Sequence, residues 1–506
     1  MLFHESVFVF LFLPIVVPAY LLCKIYINNY SSIILLGILS IIFYGYWDIM
    51  YVPLLAFSIT FNFFVGQYFL KNSYKTNLVL YIAIFINLFL LVFYKYSPMI
   101  IDNFNSISNK NLFYIYPDLP LGISFFTFLQ IAYIVDCSKG KVIKTSFSSY
   151  FLFVSFFPHL IAGPLVHHRD LIPQFSQKTK NISENLSVGI IIFGIGLFKK
   201  LVLSEYVSGW SDNMFNGVEN GIMPSFIDAW LGVLSFTLLI YFDFSAYSDM
   251  AIGLSKMIGI RLPVNFNSPY KSTNIIEFWR RWHITLSQFL KDYLYIPLGG
   301  NRNGIFKKYQ NILIVMVLAG LWHGANWTFV LWGFIHGFLL LINHYWNEKK
   351  IFKLNKSISH WLTFLFVMIA WVPFRSSSIE ATINVYKGMF GNFGFILPEH
   401  YYALFPHTFS QYLIDIGIKF SALNGFGGKN QIITLLILLL FVMICPNTQQ
   451  IFNKYKPALY LNVERINSYF HWRPNLIGTV MIGMLCSYLL LLVIQGKTGE
   501  FIYFQF

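Results

Sequence analysis

Charge is what this sequence has least of. Asp, Glu, Lys and Arg make up 11% of the chain, against 57% hydrophobic and 20% aromatic residues. A soluble domain carries roughly 25% charged residues, so the composition argues against a soluble enzyme and for a polytopic membrane protein. Acidic residues are the scarcer sign, leaving a net charge of +14. In a membrane chain that excess belongs to cytoplasmic loops, and no nucleic-acid partner is called for. Cysteine is scarce too: Cys23, Cys137, Cys445 and Cys486 lie far apart with no CxxC pair. That removes a disulfide framework and a thiolate metal site, and no metal is expected. HExxH, P-loop, GxSxG and dinucleotide fingerprints are missing, so metal-assisted or nucleotide hydrolysis has no visible apparatus. The N-terminal "MLFHESVFVFLFLPIVVPAYLL" lacks a basic n-region and a small-residue cleavage site, and reads as a retained first span.

What is present is a series of apolar stretches, near 6–27, 31–47, 51–70, 78–97, 121–136, 147–166, 188–206, 223–242, 311–330, 331–346, 358–374, 431–446 and 475–495. A span needs about 20 largely apolar residues, so 121–136 and 431–446 are short and read as tilted, re-entrant or broken. The whole chain, 1–506, reads as one integral-membrane domain of about 11–13 membrane segments, bordered by membrane lipid. No internal repeat of the inverted-transporter kind is visible. Lys71, Lys75, Lys139, Lys141, Lys144, Lys349, Lys350, Lys353, Lys356, Lys454, Lys456, Arg465 and Arg473 cluster in four loops, which read as cytoplasmic. The segment 98–120 holds only Lys110, and 375–430 is poor in basic residues; both read as outer-side. The first span then runs outside to inside.

Residues 271–310, "KSTNIIEFWRRWHITLSQFLKDYLYIPLGGNRNGIFKKYQ", interrupt this pattern with seven basic and two acidic residues. The first half reads as a helix: Asn274 as cap, Glu277 three residues on, an i,i+4 pair of Glu277 with Arg281, and an apolar face of Phe278, Trp282, Thr285 and Phe289. Such a segment suits a cytoplasm-facing helix lying at or partly buried beneath the interface. Arg280, Arg281 and Lys291 fit two readings: a headgroup-facing surface, or a positive vestibule for a phosphate-bearing ligand. His283, one turn after Trp279, fits an interfacial histidine among aromatics or a functional one.

His323 sits inside an apolar run, "LAGLWHGANW". An ionisable group there usually faces the protein interior or a wet cavity. Gly320 and Gly324 open one helix face for packing or for a ligand. Asn326, three residues on, shares that face and is placed to orient the imidazole. A structural histidine bonded to a neighbouring helix fits equally well. His336 and His344, in the next stretch, read as structural. "YFDFSAYSDMAIG" sets Asp243 and Asp249 among aromatics and small residues, and "FFPHLIAGPLVHHRDLIPQF" sets His159 beside Pro158, Gly163 and Pro164 in a broken apolar run.

These segments, with "YFDFSAYSDMAIGLSKMIGIRLPVNFNSPYKSTNIIEFWRRWHITLSQFLKDYLYIPLGGNRNG", "LWHGANWTFVLWGFIHG" and the terminal "FIYFQF", resemble the membrane-bound O-acyltransferase (MBOAT) family. The likeness is to its bacterial polysaccharide branch, typified by the membrane subunit of alginate O-acetylation, and runs almost end to end. The resemblance implies an all-α ring of tilted helices with re-entrant segments around a thin centre. It implies that the family histidine is His323 of Trp322-His323-Gly324, and that the second family position is His283. The two are 40 residues apart, so any meeting is tertiary.

The expectation that follows is acyl transfer to a hydroxyl. His323 acts as base, His283 positions the donor or acts beside it, and Asn326 fixes a tautomer. Arg280, Arg281 and Lys291 receive donor phosphates, with Trp322 and Asp243 as further binding candidates. No bound cofactor is expected; acetyl-coenzyme A or another acyl thioester is the donor substrate. The resemblance implies the bacterial cytoplasmic (inner) membrane and an extracytoplasmic acetyltransferase partner protein serving a surface glycan. Two other classes fit the residues: a transporter or flippase of a lipid-linked sugar or acyl carrier, with the intramembrane His and Asp groups as translocation sites, and a scaffold that only docks a soluble transferase.

Overall fold

A computed structural model describes residues 1–506 except 72–76, 109–111, 113, 115, 143, 351, 422–428, 461–466, 468–469, 497–498, 500 and 503–506. Lys75, Lys110, Arg465 and the last four residues of the terminal "FIYFQF" fall outside the described residues. Helix dominates, as it must where apolar surroundings leave the backbone no hydrogen-bond partner but itself. Among the described residues nine helices are long and apolar enough to cross a bilayer: Phe8–Ile27, Ile49–Lys71, Asn77–Ser108, Ile182–Glu219, Phe226–Met257, Gly304–His323, Trp327–Lys349, Lys356–Arg375 and Gly478–Gln495. Three shorter apolar helices accompany them, Asn29–Gly45, Ile123–Ser138 and Lys429–Ile444. The all-α polytopic class expected from sequence is present. Among the described residues the sheet consists of two parallel strands, β1 (Phe395–Pro398) and β2 (Ile418–Ser421), with Phe395 opposite Ile418. The 375–430 stretch is therefore more than a loop: it also holds the helices Ile379–Met389, His400–Leu404 and His407–Asp415.

The Phe226–Met257 helix is the axis of the molecule. Ser225 and Asp228 close a capping box at its start, and its 32 residues span roughly 48 Å at 1.5 Å per residue. Its first half joins a buried apolar cluster with Trp332, Trp371 and Phe374, and its second half joins another with Phe8, Val16 and Tyr20. The Ile182–Phe198 helix lies close against it because Gly189 and Gly253 face each other. A Cβ on Gly189 would sit 2.7 Å from the Gly253 carbonyl, so the contact depends on small residues, as in many membrane helix pairs.

Two departures from the sequence reading shape the site. First, the apolar run 311–330 is not one helix. Gly304–His323 ends at His323, Gly324 is extended (φ −159°, ψ 150°), and Asn326 caps Trp327–Lys349 by accepting the Thr328 N–H. His323 is thus the last residue of its helix, at the apex of a hairpin, and Asn326 lies past the end rather than on the same face. Gly320 serves the packing of this hairpin: a Cβ there would collide with the Phe329 carbonyl oxygen. Second, the helix expected from Asn274 through Phe289 breaks. Ile275–Arg281 and Ile284–Leu290 are separated by Trp282, which is extended, and by His283, which is left-handed (φ 42°, ψ 53°). This is a sparsely populated conformation for a non-glycine residue, held only where surroundings over-determine it. Phe278, Trp279, Trp282, His283, Leu286 and Phe289 are all buried, so this face of the segment packs inside the protein, while Arg280 and Lys291 stay exposed.

Candidate active site

The break turns His283 inward. The strand of chain 263–267 runs beside it: the Asn267 N–H donates to the Arg281 carbonyl at 2.9 Å, and the Ile284 N–H donates to the Asn265 carbonyl at 3.0 Å. The Asn265 side chain fills the notch. Its Oδ1 accepts from the Thr285 N–H at 3.3 Å and from the Thr285 hydroxyl at 2.9 Å, and lies 3.2 Å from His283 Nδ1. A backbone N–H can only donate, so this atom is the amide oxygen, and an amide oxygen can only accept. His283 therefore carries its proton on Nδ1 when neutral. Its Nε2 keeps a lone pair, and among the described residues no group bonds to it. Asn265 went unnoticed in the sequence; nothing in the spacing of "RLPVNFNSPY" marks it.

The hairpin brings His323 to the same place. The His283 and His323 rings are 6.4 Å apart between centroids. Trp322 lies against both, 6.2 Å from His283 and 5.0 Å from His323. Trp332 at 5.0 Å and Phe374 at 5.3 Å meet the His323 ring edge-on, and Phe244 meets His283 at 4.8 Å. Both histidines are buried. They stand where the two apolar clusters of the fold join, Trp322 belonging to one and Trp332 to the other. His336, read as structural, is also fully buried in this region, 4.9 Å from Trp332.

Below the break a cavity of about 430 Å³ opens to the surface. Ile284 and Thr285, the residues directly after His283, form part of its lining, and Arg280, Arg169, His167 and Tyr460 stand around it. Burial first, and then the Arg169 guanidinium, push the His167 imidazole below its ordinary range, against the pull of Asp170, Asp292 and Asp136. The charged groups of the mouth are Arg169, Arg280 and Asp170, with Arg169 Nε 4.0 Å from the Asp170 carboxylate. Asp170, the acidic group in the lining, accepts the Tyr460 hydroxyl at 2.6 Å.

The remaining expected residues are placed elsewhere or are already engaged. Arg281 is absent from the cavity lining. It donates to Glu277 through Nε at 3.0 Å and Nη2 at 2.8 Å, the i,i+4 pair read from sequence. Burial opposes the Glu277 carboxylate, yet the two donors of Thr273 and the Arg281 guanidinium hold it below the usual carboxylate range. Lys291 is exposed and outside the lining. The Asn326 amide donates to the Ser377 carbonyl at 2.8 Å and accepts from Thr328, so it does not orient the His323 ring. Asp243 takes the Lys200 ammonium at 2.9 Å and the Ile502 N–H at 2.9 Å. Lys200 also stacks on Phe501, 4.6 Å from the ring centre. Asp243 is thus part of a buried knot that fastens the C-terminal residues to the central helix.

Two imidazoles in a buried aromatic cluster, one with an open lone pair, beside a cavity edged by Arg169 and Arg280 and inside a polytopic helical fold, fit a membrane enzyme of the group-transfer kind. The chain belongs to the membrane-bound O-acyltransferase family and is an O-acyltransferase. The family model matches residues 137–349. The chain is 42% identical over 425 residues to the peptidoglycan O-acetyltransferase of Helicobacter pylori, covering 77% of this chain and 80% of that protein. It is 39% identical over 400 residues to the "probable alginate O-acetylase AlgI" of Pseudomonas aeruginosa, covering 77% and 75%. The teichoic acid D-alanyltransferase of Streptococcus thermophilus is more distant, 26% identical over 337 residues.

Proposed function

We propose that this protein moves an acetyl group from a cytoplasmic thioester to a hydroxyl on the outer side of a bacterial cytoplasmic membrane, for O-acetylation of a surface glycan. The relatives named for peptidoglycan and alginate acetylation support the acceptor class. The observation that carries the mechanism is the meeting of His323 with His283, brought together by a hairpin apex from one direction and a broken re-entrant helix from the other. The cavity below His283, with Arg169 and Arg280 at its mouth, suits the phosphates of acetyl-coenzyme A, since guanidinium groups bind phosphate with short, charge-assisted bonds. That charged carrier stays on its own side, and only the acetyl end reaches the histidines.

In this reading the acceptor hydroxyl oxygen attacks the thioester carbonyl carbon while the His323 imidazole takes its proton. The C–S bond then breaks, the thiolate leaves toward the cavity, and the imidazolium returns the proton to it, giving an ester and a free thiol. A positioned base contributes roughly 10²–10⁴-fold. The leaving thiol, with an ordinary pKa of about 8.5, needs little assistance. His283, its Nδ1 proton held by Asn265, stands beside the thioester and positions the donor; the one proton of the attacking hydroxyl goes to His323. The hydroxyl belongs either to the glycan or to an extracytoplasmic partner protein that relays the group. Deleting the chain and restoring it with native or His323→Ala protein tests the reading: O-acetyl content of the surface glycan returns with the first and not with the second. Restored acetylation by the variant removes His323 from the base role. A transporter would instead move a labelled acyl carrier through liposomes with no acetyl turnover.

A further inference from the structure

The carbonyl end of the Gly304–His323 helix sits inside the protein, beside His283, and a helix end leaves four carbonyls without intrahelical partners. All four are accounted for here. The Gly320 carbonyl takes the Gly324 N–H at 3.4 Å. The Leu321 carbonyl takes the Tyr96 hydroxyl at 2.7 Å. The Trp322 and His323 carbonyls both take the Lys95 ammonium, at 2.7 and 2.9 Å. Lys95 and Tyr96 lie more than two hundred residues earlier, on the Asn77–Ser108 helix, in a turn of π-helix at Val92–Tyr96. Such single-turn π segments recur at functional sites because they redirect side chains that an unbroken α-helix would point elsewhere.

Lys95 is buried inside a membrane-crossing helix, where an ammonium is costly and rarely kept without a purpose. Its bonds are to two carbonyls, and among the described residues no carboxylate pairs with it. A hydroxyl donor would satisfy one carbonyl. The ammonium, with three N–H groups, satisfies two consecutive ones, and its charge complements the negative end of the helix. Those two carbonyls belong to Trp322 and His323, whose rings face His283.

We propose that Lys95, seconded by Tyr96, is the positioning residue of His323. It clamps the peptide units on either side of the His323 Cα and so sets where the imidazole stands relative to His283 and the reacting carbonyl. The proposal rests on the acetyl-transfer reading above, in which His323 is the base. A misplacement of about 1 Å at a reacting centre costs on the order of 10²-fold in rate, and that is the size of effect a lost clamp produces.

The test uses the full chain in lipid nanodiscs, with acetyl-coenzyme A as donor and water as the acceptor, thiol release by hydrolysis as readout and thermal unfolding measured in parallel. Lys95→Met lowers kcat on the order of 10²-fold, leaves KM for the donor within about twofold, and leaves the protein folded. Lys95→Arg, which keeps the charge and paired donors, recovers most of the lost kcat. Tyr96→Phe, which removes one hydroxyl, lowers kcat a few-fold. The proposal is overturned if folded Lys95→Met turns over normally, if Lys95→Arg is no better than Lys95→Met, or if activity falls only in step with the folded fraction. If Lys95→Met does not fold, Tyr96→Phe decides, and normal kcat there overturns the clamp. His323→Ala separates the two layers. Normal turnover in that variant defeats the base assignment itself, whereas a dead His323→Ala beside an active Lys95→Met defeats the clamp alone.

Discussion

Asp243 and Phe244 are neighbours on the central helix, and each faces a different buried polar region. Asp243 faces the knot of Lys200, Ser204 and the Ile502 N–H, in which the carboxylate is met on both oxygens. Phe244 faces His283, whose Nε2 meets no protein group among the described residues. Both regions are shielded from solvent and both hold ionisable side chains. What separates them is completeness. A buried polar network that is fully satisfied fixes a structure, whereas a buried polar atom left open next to a cavity is available to something that comes and goes. By this criterion Asp243, a binding candidate in the sequence, is structural, and His283, with an open ring nitrogen directly before the cavity lining, is not.

The contrast can be broken from either side. The largest expected effect is His323→Ala, which lowers kcat by roughly 10²–10⁴-fold, the contribution of a positioned base, with the thermal midpoint barely moved. Asp243→Asn does the reverse. It leaves the buried Lys200 charge without its carboxylate and costs about 3 kcal/mol or more of stability, seen as a lower unfolding midpoint, while kcat per folded molecule stays close to native. Asn265→Ala falls between: it frees the Nδ1 proton of His283 and lowers kcat by roughly tenfold to a hundredfold, with donor KM little changed.

The two arginines sharpen the comparison further. Arg280, in the cavity lining, raises the donor KM several-fold when changed to Ala, an effect that shrinks as salt rises because exposed charges are screened. Arg281, committed to Glu277, leaves donor KM unchanged when replaced. Its loss lowers stability by more than the roughly 0.3–0.5 kcal/mol of an exposed i,i+4 pair, because this pair is partly buried. Equal KM effects from the two would mean that the cavity is not the donor entrance.

Much of this was legible in the chain. Low charge and apolar runs of span length sufficed for the polytopic helical class, and the Glu277–Arg281 pair followed from spacing. The end of the helix at His323 was also written in the sequence: Gly324 is a helix terminator and Asn326 a helix cap. Both signals were overridden by an apolar run that continues unbroken through Trp327. The break at His283 was not legible, because "FWRRWHITL" contains no glycine or proline, and the left-handed turn is imposed by Asn265 and the backbone of 265–267 from outside the segment. Lys95 was hidden for a related reason. A lysine in "LVFYKYSPM" looks like one near a span end, and only the tertiary fold places it under Trp322 and His323.

The most direct test of the two-histidine centre is a single kinetic comparison of native and His323→Ala protein in nanodiscs, with thiol release from acetyl-coenzyme A measured beside donor binding at equilibrium. Donor binding within about twofold of native, with kcat reduced at least 10²-fold, is the predicted result. Native kcat in the folded variant, or loss of donor binding in place of turnover, would contradict the account.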